Sequence, residues 1–138
     1  MSMADDVLTA LQADHALVGM LTGGIYIDLQ EINRQYAPDA FDDNKEIKPC
    51  ALIKFGNEIQ MQGYINSVQT PFTIYVYQRF GYDVINAALE AIYEDLNWQK
   101  IGAHTWNVEF DTSVTNERDD TLDCALGTIR FVAKRIRI

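Results

Sequence analysis

The sequence contains few of the residues on which redox, catalytic and membrane functions usually depend. Among its 138 residues are two cysteines, two histidines and three prolines. Cys50 and Cys124 lie far apart in strand-like surroundings, which favours buried reduced thiols over a disulfide. The longest apolar runs are far shorter than the roughly 20 residues that a membrane-spanning helix requires. No membrane partner is therefore expected.

Positive charge is also scarce. The chain has 11 Lys and Arg against 20 Asp and Glu, which gives a net charge of −9 and an isoelectric point near 4.5. General affinity for nucleic acid depends on cations that displace counterions from phosphates, so this composition argues against a nucleic-acid-binding protein. Hydrophobic residues make up 48% of the chain, which is enough for a folded core.

The patterns that accompany catalysis, metal binding and phosphate binding are missing as well. Cys124 and His104 fall in segments that can form adjacent strands, yet no signature of a nucleophile surrounds them. The acidic run at 119–123 lacks the glycine and terminal glutamate of a calcium loop. Gly23-Gly24 follows a helix and precedes a strand, the reverse of a phosphate-binding loop. We therefore predict no enzyme activity, no metal and no cofactor.

The spacing of apolar residues predicts two helices and five strands in the order α-β-β-β-α-β-β. The helices are expected at 4–18 and 83–97, and the strands at 25–29, 50–55, 72–80, 106–110 and 122–138. Most strands follow one another without a helical crossover. The predicted fold is therefore a single α+β domain over 1–138, with a mainly antiparallel sheet and both helices packed on one face.

Two stretches show no sustained apolar period. The stretch 31–48 contains Pro38 and the polar run 42–46, and loops of this length are usually functional or disordered. We interpret it as a candidate binding arm. The stretch 56–68, with Gly63 in its middle, is interpreted as an extended hairpin or a second mobile arm.

One group of side chains is a candidate interface on the strand at 72–80. Tyr75, Tyr77 and Arg79 alternate with its apolar residues and share the opposite face. Tyr and Arg are enriched at protein interfaces, which favours a binding surface. A second covering layer within the monomer explains the same alternation equally well.

A second candidate interface lies at the carboxyl-terminal end of the sequence. Four of the eleven basic residues fall in the last nine positions: Arg130, Lys134, Arg135 and Arg137. Such charge protects the edge of a sheet against unwanted pairing. The same cations can also contact Glu90 and Glu94 of another copy of the chain. These two acids lie one turn apart on the second helix. The second interpretation predicts head-to-tail association.

In the order and character of its segments, the chain resembles the tail-terminator (tail-completion) proteins of long-tailed bacteriophages. The resemblance rests on the opening helix 7–17 running into Gly23-Gly-Ile-Tyr26, on the passage from Phe72-Thr-Ile-Tyr-Val-Tyr77 into the helix 85–96, and on Ile129-Arg-Phe-Val132. The resemblance extends over nearly the whole chain and consists of patterns in the size and polarity of the residues. The stretch 31–48 departs from the family, because it is longer and more acidic than the usual link.

The resemblance implies a hexameric ring that caps the tail tube, stops its polymerisation and joins the head-side connector, or stopper, protein. It also implies a place in the virion, with assembly in the host cytoplasm, and a lumen through which DNA passes. Six copies carry a charge of −54, so an anionic lumen that repels DNA is a further prediction. The alternative function is a non-catalytic adaptor that binds another protein through Tyr75, Tyr77 and the stretch 31–48.

Overall fold

The computed structural model describes residues 3–60, 67–102 and 105–136, with the side chains of 105, 106 and 136 outside the description. In these ranges the α-helices are α1 (Met3–Gln12), α2 (His15–Met20) and α3 (Asp83–Leu96). The strands are β1 (Ile25–Tyr26), β2 (Cys50–Phe55), β3 (Ile59–Gln60), β4 (Ser67–Gln78), β5 (Thr105–Asp119) and β6 (Cys124–Ile136), and a 3-10 helix spans Pro38–Ala40. No described helix is long and apolar enough to span a membrane.

The strands form one sheet in the order β1-β2-β4-β6-β5, and β3 pairs with the start of β4. The β1–β2 pair is parallel and the others are antiparallel, which confirms the prediction of a mainly antiparallel sheet. The pairing of β4 with β6 runs unbroken from Ser67 opposite Ile136 to Gln78 opposite Ala125. These two long strands form the centre of the sheet, with β2 and β1 on one side of them and β5 on the other.

The predicted first helix is in fact two helices. Asp14 adopts an extended backbone between them, and its Oδ1 accepts a hydrogen bond from the amide of Leu17 at 3.1 Å. This is an N-cap interaction, which satisfies an amide that the start of a helix leaves without a partner. Val7 and Leu11 of α1 and Leu17 of α2 are all fully buried. The apolar side chains of both helices therefore still pack against the sheet on either side of the break.

The three helices cover one face of the sheet, as predicted, and enclose the larger core. Phe72 of β4 and Phe131 of β6 are fully buried there with their ring centroids 5.5 Å apart. The helix predicted at 83–97 is confirmed as α3. Its start is fixed by Gln78, whose Oε1 accepts hydrogen bonds from the amides of Val84 and Ile85 at 3.0 and 3.1 Å.

The opposite face carries a smaller core built by the stretch that we interpreted as a binding arm. Ile32 and Ile47 are buried in it against Cys50 and Tyr77 of the sheet. The stretch 31–48 thus packs on its own sheet instead of projecting, because its scattered apolar residues together cover one end of this face. The predicted strand 25–29 is correspondingly short and ends at Tyr26.

The final hairpin differs from its prediction in length and position. β5 continues to Asp119, through the expected turn at 116–120, and its pairing with β6 contains three register shifts. β6 lies between β4 and β5, so the basic carboxyl-terminal strand is not an edge of the sheet. The interpretation of its cations as edge protection is therefore wrong.

The described part of the stretch 56–68 agrees with a hairpin. β3 pairs antiparallel with β4, with Ile59 opposite Gln69 and Gln60 opposite Val68. Residues 61–66 lie outside the described ranges.

Candidate functional site

The two thiols are buried and reduced, as predicted. Cys50 and Cys124 belong to the smaller core, and neither forms a disulfide. Burial raises the pKa of each thiol to about 12, so both remain protonated at neutral pH. His104, the other half of the weighed nucleophile pair, lies outside the described residues. Within 3–60, 67–102 and 105–136, no group of three potential ligands can hold a metal ion.

The tyrosine face is largely covered by the protein itself. Tyr77 is 5% exposed, and burial followed by the charge of Asp119 raises the pKa of its hydroxyl. Tyr75 is half-buried against the same core. Of the two alternatives, the structure therefore shows the covering layer within the monomer at Tyr77. Arg79 remains at the rim, where it forms an ion pair with Glu46 and lies 4.5 Å from the ring centre of Phe80.

The carboxyl-terminal cations have acidic partners within their own chain. Their ion pairs are Arg130 with Asp111, Lys134 with Glu109 and Arg135 with Glu58. The first two join β6 to its neighbour β5, and the guanidinium of Arg130 lies 3.0 Å from the carboxylate of Asp111. Arg137 lies outside the described residues. The three described cations are thus already neutralised within one protomer.

The predicted acids of the second helix lie beside an open groove. Glu90 and Glu94 of α3 are exposed, and neither forms an ion pair in the described part of the chain. A groove of about 490 Å³ separates α3 from β5. Its lining combines apolar and neutral polar side chains with one acid: Asn86, Leu89, Glu90, Tyr93, Phe110, Ser113, Thr115 and Ile129.

The outer edge of β5 is covered over part of its length. The amide of Trp98 donates to the carbonyl of Val108 at 2.6 Å, and the amide of Val108 donates to Gln99. The side chain of Asn97 then accepts a hydrogen bond from the amide of Phe110 at 3.0 Å. Residues 111–116 are exposed, and no described strand pairs with this side of them. At Glu117 the edge is held again, because the hydroxyl of Tyr82 donates to its carbonyl at 2.7 Å. The sequence pattern missed this surface, because alternation does not tell an edge strand from a central one.

A second groove, of about 440 Å³, lies between the stretch 31–48 and the turn that joins β5 to β6. Arg34 and Lys45 line it, and neither has an ion pair within the described ranges. The stretch 31–48 therefore offers cations to solvent even though its apolar residues are buried.

Two carboxyl groups meet where α2 begins and α3 ends. Burial, together with Asp14 and the charge of Glu94, raises the pKa of Asp95 to about 7, and its Oδ2 is buried without a hydrogen bond. Hydrogen bonds from protonated Asp95 and from the amide of Leu17 lower the pKa of Asp14. The pair is thus most stable when it holds one proton.

This shared proton predicts a stability that falls as pH rises. The unfolded chain releases the Asp95 proton near pH 4, whereas the folded chain keeps it until about pH 7. The free energy of unfolding should therefore decrease by about 1–2 kcal/mol between pH 5 and pH 8, after allowance for solvent screening. Asp95→Asn should remove this slope and stabilise the protein at pH 8, as measured by urea unfolding at both pH values.

Glu94→Gln is the matched control, since it removes the same charge from the exposed neighbouring residue. It should leave most of the slope in place. An Asp95→Asn protein with the wild-type pH dependence would show that the carboxyl pair does not hold the proton.

Comparison with known proteins identifies solved structures with a similar fold. No protein-family model and no curated protein sequence matches this chain. Among solved structures, a chain described as "Virion of native gene transfer agent (GTA) particle" matches with a TM-score of 0.65. The match covers 98% of this chain and 95% of that chain at 15% sequence identity. At this identity the likeness establishes a shared fold.

Proposed function

We propose that this protein is a structural component of a phage-like virion, in which six copies form a ring that terminates the tail tube. The observation that carries the proposal is the fold likeness to a virion chain, which extends over nearly the whole of both chains. The resemblance to tail-terminator proteins, carried by the segments 7–26, 72–96 and 129–132, supports the finer role. In this role the ring contacts the tube protein on one side and the connector on the other.

The role requires no catalysis. The protonated thiols of Cys50 and Cys124 are consistent with a purely structural protein. The adaptor alternative loses one of its surfaces, because Tyr77 is buried under the stretch 31–48. The ring therefore remains the proposal that accounts for the most observations.

A ring needs two different contact patches on every subunit. We predicted that the cations at 130–137 meet Glu90 and Glu94 of the next subunit. Arg130, Lys134 and Arg135 each have an acid in their own chain, so their contribution to this contact should be small. We place DNA in the ring only as a molecule that passes through, and an anionic lumen remains a prediction.

The ring predicts a particle mass that light scattering can measure. Size-exclusion chromatography with light scattering should give about 94 kDa, six times the subunit mass of 15.7 kDa. A mass of one or two subunits at every concentration up to about 1 mM would favour the adaptor and contradict the ring.

A further inference from the structure

The groove between α3 and β5 has an aromatic lining that is already held in place. Tyr93 and Phe110 line it with their ring centroids 5.2 Å apart, and both keep more than a third of their surface exposed. The Nδ2 of Asn97 donates to the hydroxyl of Tyr93 at 3.0 Å, and its Oδ1 accepts a hydrogen bond from the amide of Phe110. Exposed aromatic residues that need no rearrangement are typical of protein contacts.

Two acids add negative charge to the same surface. Glu90 lines the groove and Glu94 lies one turn further along α3, and both are exposed without an ion pair among the described residues. Carboxylates at this spacing repel each other, so a cationic partner would relieve the repulsion. A guanidinium or ammonium group placed there would also contact the exposed ring of Tyr93. The groove therefore suits a surface that carries positive charge.

The groove beside the stretch 31–48 has the complementary character. Arg34 and Lys45 line it, and both are exposed. Two acids also line it, and each has an ion-pair partner in its own chain: Glu46 with Arg79 and Asp123 with Arg118. Among the described residues, Arg34 and Lys45 are thus the charges of this groove that lack a partner.

Both cations lie in hydrogen-bonded turns. The side chain of Asn33 accepts a hydrogen bond from the amide of Tyr36 at 2.8 Å, in the turn that carries Arg34. The side chain of Asp42 likewise accepts from two amides of the turn that carries Lys45, at 2.9 and 3.0 Å. A contact through turns that are already ordered loses less conformational entropy on binding.

We propose that the groove between α3 and β5 in one copy binds the turns of Arg34 and Lys45 in a second copy. Glu90 and Glu94 then gain the ion pairs that they lack within the described part of their own chain. The inference rests on the proposed ring and names its contact. The first groove borders the larger core and the second borders the smaller core, on opposite faces of the sheet. They cannot meet within one chain, so their pairing is head to tail, as ring closure requires.

Charge favours a second copy as the occupant. At a net charge of −9, two copies repel each other in most orientations. This orientation instead brings two cations to two acids. It also joins two partly apolar linings, since Phe41 and Ile47 line the groove of the cations. The described carboxyl-terminal cations do not compete for Glu90 and Glu94, because each is paired within its own protomer.

The test reverses the charge of each surface in turn. Glu90→Lys with Glu94→Lys, and Arg34→Glu with Lys45→Glu, should each raise the concentration of half-assembly at least about tenfold, because like charges then meet. Light scattering measures the particle mass, and circular dichroism checks the fold. The matched control is Lys48→Glu with Lys100→Glu, which changes the net charge as the second variant does, at cations outside the groove. The control should form the ring.

An equal mixture of the two reversed variants tests the pairing itself. Each variant meets opposite charge only on the other, so the mixture should assemble at wild-type concentrations into rings in which the two alternate. Native mass spectrometry should find equal numbers of both variants in each particle. The mixed ring carries the same total charge as the wild-type ring, so net charge cannot explain its recovery.

Engineered cysteines provide a second readout, which decides the matter if a reversed variant does not fold. Arg34→Cys with Glu90→Cys should yield a ladder of disulfide-linked subunits after mild oxidation. Gln30→Cys with Glu90→Cys, at an exposed residue outside the groove, should not.

The wild-type particle separates the inference from the proposed function. A wild-type ring that survives both charge reversals, or whose reversed variants do not assemble together, would overturn the inference and leave the proposed function standing. Among variants that form rings, absence of the Arg34→Cys, Glu90→Cys ladder would do the same. A wild-type chain that stays monomeric would overturn both.

Discussion

Replacing Phe131 with alanine should lower the free energy of unfolding by about 4 kcal/mol. The side chain is fully buried on the central strand β6, between Phe72 at 5.5 Å and Phe110 at 6.1 Å from ring centre to ring centre. Truncation removes its contacts with both rings, and the flanking strands cannot close over the cavity because both are held in register. Urea unfolding followed by circular dichroism measures the change.

Phe80→Ala is the matched control, because the same atoms are removed from a ring that is 73% exposed. Its loss should stay below about 1 kcal/mol and reflect the contact with the guanidinium of Arg79. Equal losses at the two positions would show that the aromatic cluster under the helices is not the centre of the fold.

Gly127→Val should destabilise the protein by about 2–3 kcal/mol through overpacking. Gly127 lies on β6 directly beneath α3, and a Cβ atom there would overlap Ile85 and lie 3.1 Å from Leu89. Both neighbours are buried, so neither can turn away into solvent. The helix must move off the sheet, which also changes the groove between α3 and β5. Urea unfolding measures the stability, and near-ultraviolet circular dichroism measures the packing around Tyr93.

Gly19→Ala provides the comparison. Gly19 lies within α2, and an added Cβ meets nothing within 4 Å, so alanine should be neutral or stabilise the helix by up to about 1 kcal/mol. A Gly127→Val protein as stable as wild type would mean that α3 does not pack closely on β6.

The sequence was sufficient where one face of an element is buried along its whole length. Between Val84 and Leu96, apolar residues recur at helical spacing. The last residue of α3 lies within one position of the predicted end. In β4, Phe72, Ile74 and Val76 recur at the two-residue spacing of a strand, and all three are buried under the helices. Burial of a continuous face imposes the period, so the period predicts the element.

The break between α1 and α2 was missed because it does not disturb that period. Leu11 and Leu17 stay on the buried side across the break, and only the capping side chain of Asp14 reveals it. The start of β4 was missed for another reason. Pro71 interrupts the pattern, yet it is tolerated one residue beyond the paired end of β2. Its carbonyl accepts a hydrogen bond from the amide of Gly56 at 2.8 Å, so this position uses an acceptor and not the N–H that proline lacks.

The candidate contacts required tertiary information of a different kind. The sequence predicts cations near the carboxyl-terminal end, but their partners Asp111 and Glu109 come from β5, whose register includes bulges that no local pattern encodes. The burial of Tyr77 likewise depends on the stretch 31–48, which lacks a period of its own. Edges, grooves and cross-strand pairs are properties of the assembled sheet.

An electron micrograph of the purified protein at micromolar concentration distinguishes a ring from any other assembly. The proposed hexamer should appear as ring-shaped particles with six-fold symmetry and an open central hole. Compact particles without a hole, seen in a sample that light scattering shows to be assembled, would contradict it.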